Sequence, residues 1–216
     1  MRLFSSFALL LFFAVNFAGA PIVFENSIEV AGANFSFRSS KVITIEGPIV
    51  PDSIADFQAK LYATRKLRGD LVLILDSPGG YVDTGETMLG LLELEQKIKG
   101  FQLICVVRGR AHSMAFNILS HCNKKYSTPN AKMIVHKIRA QLEPRPMTAE
   151  MLREVAKELD QSDEPYRQLN SKLMHLTLPE YDDYAKKETS WTAEELLARG
   201  YLDGIVMLHE DQPTGD

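Results

Sequence analysis

The stretch DLVLILDSPGG, residues 70–80, decides the fold class of this chain. Its apolar residues are consecutive rather than alternating, which predicts a strand that is buried on both faces. Residues 53–67 before it and residues 84–98 after it have the spacing of amphipathic helices. Strands of this kind that are separated by helices form mainly parallel sheets with right-handed crossovers. The predicted fold class is therefore α/β.

The same alternation continues along the chain. Further strands are predicted at residues 41–47, 101–107, 131–138 and 204–208, and further helices at residues 113–120, 148–176 and 192–200. Pro165 is expected either to kink the longest of these helices or to lie in an early turn of a helix. No internal repeat and no low-complexity tract interrupts the pattern, so it predicts one continuous domain.

Composition sets the limits on function. With 216 residues, of which 45% are hydrophobic, the chain is large enough for one substantial core. Its formal net charge is −4, with acidic and basic residues interspersed, so it lacks the basic surface that nucleic-acid binding requires. The sequence has no CxxC pair and no HxxxH pair. We therefore expect no nucleic-acid partner, no metal site and no cofactor.

The first twenty residues, MRLFSSFALLLFFAVNFAGA, are typical of an export signal. An early arginine precedes an apolar stretch, which ends in the small residues Ala18, Gly19 and Ala20. Pro21 disfavours cleavage after Ala20, and the apolar stretch is nearly long enough to stay in a membrane as an anchor. We expect an exported, periplasmic or extracytoplasmic protein, with residues 1–20 either a cleaved signal peptide or a membrane-associated N-terminal anchor.

The two cysteines, Cys105 and Cys122, are expected to be buried small hydrophobic residues. An exported protein could also oxidise them to a disulfide. The separation of their Cα atoms decides between the two states, and sequence does not give it.

Two short motifs point to chemistry. In SPGG, residues 77–80, a glycine turn follows a buried strand and could aim N–H groups at an oxyanion, although such a turn is also a common connection. In GRAHSMAF, residues 109–116, Ser113 lies between Ala111 and Ala115. Small residues at these positions let a sharp strand-to-helix turn close, as around an exposed nucleophile. A serine at this place could equally be an ordinary helix cap.

His136 follows a short apolar strand at the sheet edge where open α/β sheets present functional groups. Its imidazole could accept the Ser113 proton and pass it to a leaving amine. His112 is the rival base, but an immediate neighbour on a tight turn tends to point away from the serine hydroxyl. A structural histidine is the alternative role for His136.

Together, four stretches resemble the ClpP family of serine peptidases. They occur in family order: SPGG (77–80), GRAHSMAF (109–116), YSTPNAKMIVHK (126–137) and TAEELLARGYLDGIV (192–206). The resemblance implies a spiral α/β fold of the crotonase type, with flanking helices and a protruding helix in residues 148–159. It also implies a homo-oligomeric ring.

The resemblance assigns roles to individual residues. Ser113 would be the nucleophile and His136 the general base, with the N–H groups of Gly80 and Met114 forming the oxyanion hole. The third member of the family's catalytic triad is usually an aspartate. In this chain Glu188 occupies the matching position, directly before TSWTAEE. The alternatives are Asp182, Asp183 or no carboxylate.

Two further departures limit what the resemblance implies. Residues 137–148, KIRAQLEPRPMT, replace a glycine-rich strand of the family. Family members receive substrates from an ATP-driven unfoldase, and because an exported chain meets no ATP, we expect no such partner.

The predicted function is hydrolysis of peptides or unfolded proteins by a serine endopeptidase. A noncatalytic ClpP-like assembly or binding module is one alternative. A crotonase-fold enzyme acting on acyl thioesters is a second alternative. An enzyme of the signal-peptide-peptidase type is a third, but it would use a lysine as its general base, where this chain offers His136.

We divide the chain into residues 1–20 (signal or anchor), 21–40 (N-terminal segment), 41–209 (peptidase domain) and 210–216 (tail).

Overall fold

The computed structural model describes residues 27–142 and 144–210. The predicted signal or anchor and most of the predicted tail lie outside the described residues. The strands are β1 (Ile28–Gly32), β2 (Phe35–Ser39), β3 (Val42–Glu46), β4 (Leu71–Ser77), β5 (Leu103–His112), β6 (Lys124–Ser127), β7 (Lys132–Ile134), β8 (Ser190–Thr192) and β9 (Gly204–Glu210). The helices are α1 (Ser53–Ala63), α2 (Val82–Lys99), α3 (Met114–Ser120), α4 (Ala149–Leu173), α5 (Leu178–Lys186) and α6 (Ala193–Ala198), with a 3₁₀ turn at Thr64–Lys66.

The strands form one sheet in the order β2-β1-β9-β6-β5-β4-β3, and β7 pairs with the C-terminal half of β5 and with β8. The pairs β3/β4, β4/β5, β5/β6, β5/β7 and β6/β9 are parallel, and the remaining pairs are antiparallel. The prediction of an α/β fold with a mainly parallel sheet and flanking helices is confirmed.

The sheet is buried on both faces at β4, as its unbroken apolar run predicts. Residues Leu71 to Leu75 are each at most 2% exposed. Burying a side chain of this size contributes about 1.5–3 kcal/mol, so this strand is a main source of stability. Alternate residues face two cores: one between the sheet and the helices, with Leu73 and Leu75, and one on the opposite face, with Val72 and Ile74.

The second core includes the N-terminal hairpin formed by β1 and β2. Val30 is fully buried in it, and β1 pairs along its whole length with β9 near the C-terminus. Residues 28–39 of the predicted N-terminal segment (21–40) form these two strands, and β1 joins the main sheet by pairing with the edge of β9.

Several other elements differ from their predictions, and β6 and β8 were not predicted at all. The strand predicted at residues 131–138 ends at Ile134, so His136 lies beyond it. The helix predicted at residues 148–176 forms as α4 and continues through Pro165. The sequence analysis missed α5, although Thr177 and Glu180 form a capping box at its start.

The first turns of α4 are largely exposed to solvent. Their apolar residues are incompletely covered: Met151 is 38% exposed and Leu152 48% exposed, and Val155 and Leu159 are half-buried. Across the described ranges, we find no helix whose length and hydropathy together would let it span a membrane.

A disulfide joins Cys105 of β5 to Cys122, just after α3. The sequence left open whether the two cysteines are bonded; in the structure their Cα atoms are 5.9 Å apart, within disulfide reach. Both residues are buried, at 0% and 5% exposure. The bridge connects the strand that leads to Ser113 with the end of the helix that follows it.

We predict that removing this bridge lowers stability. The cysteines are separated by 17 positions, and for a loop of that length the loss is about 3 kcal/mol of unfolding free energy, or roughly 6–12 °C in Tm. Calorimetry of the protein and of the Cys105→Ala/Cys122→Ala variant measures the change. Labelling of unreduced, denatured protein with a thiol reagent is the control, and labelling of both cysteines would contradict the bridge.

Candidate active site

The backbone at Ser113 makes an unusual turn between β5 and α3. Its φ of 55° and ψ of −123° are a conformation that residues with a side chain rarely adopt. The Ser113 side chain makes no capping hydrogen bond to α3, whereas its carbonyl accepts from the N–H groups of Phe116 and Asn117. The hydroxyl is therefore not used as a helix cap. Strained backbone of this kind costs about 1–3 kcal/mol and is concentrated at functional sites.

Neighbouring strands hold this turn in place. The Ser113 N–H donates to the Ile134 carbonyl at 2.9 Å, extending the pairing of β5 with β7. On the other side, Ala111 is paired with Ser77 of β4. Because His136 follows Ile134 by two residues, the topology brings it to the same end of the sheet as Ser113.

The glycine turn after β4 packs directly on the Ser113 turn. A Cβ atom on Gly79, whose φ is +85°, would lie 2.7 Å from the Ser113 Cβ and 3.0 Å from the Met114 nitrogen. A Cβ on Gly80 would lie 2.1 Å from the Ile49 carbonyl oxygen. Real Cβ atoms do not approach this closely, so both positions require glycine.

The hydrogen bonds around Ile49 determine where the Gly80 N–H points. Ile49 donates to the Gly79 carbonyl at 2.8 Å and accepts from the Tyr81 N–H at 2.9 Å. In extended backbone, successive peptide groups point to alternate sides of the strand. The Gly79 carbonyl and the Tyr81 N–H both face Ile49, so the Gly80 N–H between them points away from Ile49. Since β4 lies between β3 and β5, that direction is toward Ser113.

Met114 supplies a second available donor. It is the first residue of α3, and such a residue has no intrahelical acceptor for its N–H. Among the hydrogen bonds of residues 27–142 and 144–210, none uses the Gly80 or the Met114 N–H. Two unsatisfied donors beside one serine can stabilise an oxyanion.

His136 is half-buried, and its Nδ1 is 2.7 Å from the carbonyl oxygen of Lys137. A carbonyl can only accept, so Nδ1 carries the proton and Nε2 of the neutral ring has a free lone pair. This is the tautomer that a general base needs. Within the described part of the chain, no hydrogen bond joins His136 to the Ser113 hydroxyl, a contact that often forms only with substrate bound.

His112 is the second imidazole near Ser113. Its Nε2 is buried and has no hydrogen-bond partner among the described residues. Burial lowers the pKa of His112, and the charges of Arg110 and His136 lower it further. The imidazole of His112 is therefore held in its neutral form close to that of His136.

The structure does not bring Glu188 to His136. The Glu188 carboxylate is 55% exposed and pairs with Arg139. Its role as the orienting acid stays a prediction without a supporting contact. Of the two alternatives, Asp182 accepts two hydrogen bonds of 2.7 Å from Arg167, which holds the pKa of Asp182 below its usual value. Asp183 pairs with Lys187 at 2.6 Å.

One group next to His136 escaped the sequence analysis: the Lys137 carbonyl, which accepts from Nδ1 of His136. It has no sequence signal, because the contact depends on the path of the irregular segment after β7. The described residues contain no group of His, Cys, Asp and Glu side chains suited to hold a metal ion.

Comparison with known proteins agrees with this geometry. A family model described as Clp protease matches residues 32–209, a range that includes Gly80, Ser113, Met114 and His136. No curated protein matches the chain. The family match covers most of the sequence and confirms the resemblance found in its motifs. The chain therefore belongs to the Clp protease family.

Proposed function

We propose that the protein is a serine endopeptidase with Ser113 as nucleophile and His136 as general base. The observation that carries this proposal is the backbone conformation of Ser113, with its hydroxyl unused by α3 and two free N–H groups beside it. A structural cap would need neither the strained turn nor the adjoining glycine pair. A noncatalytic module would have no reason to keep these features.

The reaction is acyl transfer in two halves. The Ser113 oxygen bonds to the peptide carbonyl carbon while Nε2 of His136 takes the hydroxyl proton. The Gly80 and Met114 N–H groups stabilise the resulting oxyanion. The C–N bond then breaks as His136 returns the proton to the leaving amine. A water molecule, activated by the same imidazole, hydrolyses the acyl-enzyme and restores Ser113.

The substrates proposed are peptides and already unfolded proteins. The family match supports peptide hydrolysis, and an extended peptide can reach a serine at the end of a sheet without prior unfolding. Neither a cofactor nor an unfoldase is part of this proposal.

We also propose export to an oxidising compartment. The N-terminal sequence supports it, as does the buried Cys105–Cys122 disulfide, because structural disulfides are rare in the reducing cytosol. Fully reduced cysteines in protein isolated from its natural compartment would contradict this location.

The exposed apolar residues in the first turns of α4 are an argument that several copies of the chain assemble. Met151, Leu152, Val155 and Leu159 form an apolar stripe at helical spacing that the chain's own domain leaves partly uncovered. Covering such a stripe with a neighbouring subunit removes its apolar side chains from water, which stabilises the assembly. We propose a homo-oligomeric ring, as the family match suggests.

Ser113→Ala is predicted to abolish peptide hydrolysis and labelling by a fluorophosphonate probe, because both need the activated hydroxyl. Its Tm should stay close to that of the wild type, since only one oxygen atom is lost. Adding His136→Ala should reduce activity little further, because the groups act as a unit. Ser190→Ala, on the exposed edge of β8, is the control that keeps labelling. Continued hydrolysis by Ser113→Ala would refute the assignment.

Substituting His136 and substituting His112 should have unequal effects on kcat. His136→Ala is expected to lower kcat by at least about 10³-fold, because it removes the general base. His112→Ala should lower kcat by less than about tenfold, since His112 is not the proton acceptor. Steady-state kinetics on a small peptide substrate distinguish them, and the reverse order of losses would make His112 the base.

Light scattering at micromolar concentration should give a mass of several subunits for the wild type. Met151→Glu/Leu152→Glu places charges on the stripe and should lower that mass. Glu154→Gln, on the same exposed helix, is the matched control and should leave the mass unchanged. A wild-type monomer with full activity would refute assembly through this surface.

A further inference from the structure

The C-terminal half of β5 forms a small three-stranded sheet with β7 and β8, and this sheet leads to Ser113 and His136. One of its faces is buried. Ala111, Met133 and Trp191 are cross-strand neighbours on that face and are 0%, 0% and 5% exposed. Because side chains alternate between the two faces along a strand, the residues on either side of these three lie on the opposite face. We call this opposite face the open face.

Two rows of side chains cross the open face. The row nearer to Ser113 consists of His112, Ile134 and Ser190, and the row behind it consists of Arg110, Lys132 and Thr192. Val135 is buried in the same core as Met133, so the alternation continues past β7 and carries His136 onto the open face. The general base assigned above and the two rows therefore share one face.

The second row places two positive charges side by side. Arg110 and Lys132 are direct partners in the register of β5 and β7, and both are exposed. Like charges directly opposite each other on neighbouring strands destabilise a sheet. The folding of the domain therefore gains nothing from this pair, whereas a bound anion would relieve the repulsion.

Asp76 neutralises the pair only in part. Its carboxylate lies 3.6 Å from Nε of Arg110 and 3.8 Å from Nε of Arg108, so two guanidinium groups share one acid. Among the ion pairs of the described residues, none involves Lys132. The hydroxyl of Thr192 is already used, because it accepts from the Glu195 N–H at the start of α6. The two cations are thus the groups of this row that an anion would contact.

The distance from the cations to the base fits an extended peptide. Lys132 precedes His136 by four positions, and a strand advances about 3.3 Å per residue, so the two are about 13 Å apart along the face. A peptide in extended conformation has the same rise and the same alternation of side chains. A side chain about four residues from the bond beside His136 therefore faces the cation pair.

Resting on the proposed peptidase function, we propose that Arg110 and Lys132 form a subsite for a carboxylate of the peptide substrate. The carboxylate belongs to the residue about four positions from the bond that Ser113 attacks. The substrate class is therefore peptides with an acidic group at that distance from the point of cleavage.

The first test measures binding without turnover, in the Ser113→Ala variant. The probes are end-blocked alanine nonapeptides with a central leucine and an uncharged dye, and each carries one glutamate or one glutamine at a chosen position. Fluorescence anisotropy should show the best glutamate peptide binding about fivefold more tightly than its glutamine counterpart, the size of effect expected for exposed ion pairs. Added salt should reduce this preference, because it screens exposed charges.

A second set of probes distinguishes the two sources of a carboxylate. In these peptides a free C-terminus replaces the glutamate at the same distance from the leucine. Equal binding of both sets would support a subsite that accepts a chain end as well as an acidic side chain. Tighter binding of the glutamate peptides alone would support a subsite for acidic side chains.

Variants connect the preference to the two cations. Lys132→Gln leaves the contact of Arg110 with Asp76 in place and should lower the glutamate preference to about twofold, since one exposed ion pair remains. Arg110→Gln/Lys132→Gln should abolish the preference. Neither variant should have a lower Tm, because each removes a like-charge repulsion. Lys97→Gln/Lys99→Gln, in the exposed last turn of α2, removes the same charge and is the matched control that keeps the preference.

Hydrolysis by the wild type provides the second readout. Its kcat/KM should show the same preference for glutamate, and mass spectrometry should locate the cleaved bond about four residues from that glutamate. A cleavage position unrelated to the glutamate would contradict the subsite.

Two binding results would also overturn the proposal. One is equal binding of the glutamate and glutamine peptides to Ser113→Ala at every position. The other is an unchanged glutamate preference in folded Lys132→Gln and Arg110→Gln/Lys132→Gln. Binding is measured without the nucleophile, so a wild type that hydrolyses none of these peptides would refute the peptidase function while the subsite is still tested.

Discussion

The backbone conformation of Ser113 is the constraint on which the rest of the candidate active site depends. A turn that costs about 1–3 kcal/mol persists only if the elements on both sides are held firmly. Both arms are buried: Val106 and Val107 of β5 and Phe116 and Ile118 of α3 are inaccessible to solvent. The Cys105–Cys122 disulfide links one arm to the end of the other. Apolar burial and a covalent bond together offset the backbone strain at Ser113.

A buried polar network fixes the far side of α3. Ser120 donates to Asn170 of α4 at 2.6 Å and lies 2.8 Å from the hydroxyl of Tyr201. The Asn170 amide donates in turn to Asn117 and to the hydroxyl of Tyr181. Satisfied networks of this kind specify one arrangement of helices, because a partner left unpaired in the core is costly. The network therefore fixes the position of α4 relative to α3, which begins directly after Ser113.

Sequence by itself determined the α/β class, the places of Ser113 and His136, and the glycine pair beside them, because consecutive apolar runs and glycine turns are local signals. It did not determine the disulfide, the hairpin in the main sheet or the surroundings of His136. Cys105 and Cys122 meet because α3 folds back along β5. Residues 28–39 join the sheet because β9 arrives beside them from the other end of the chain. Asp182 pairs with Arg167 and Glu188 pairs with Arg139. Only tertiary packing decides which cation each of these carboxylates meets, since no local pattern encodes those distances.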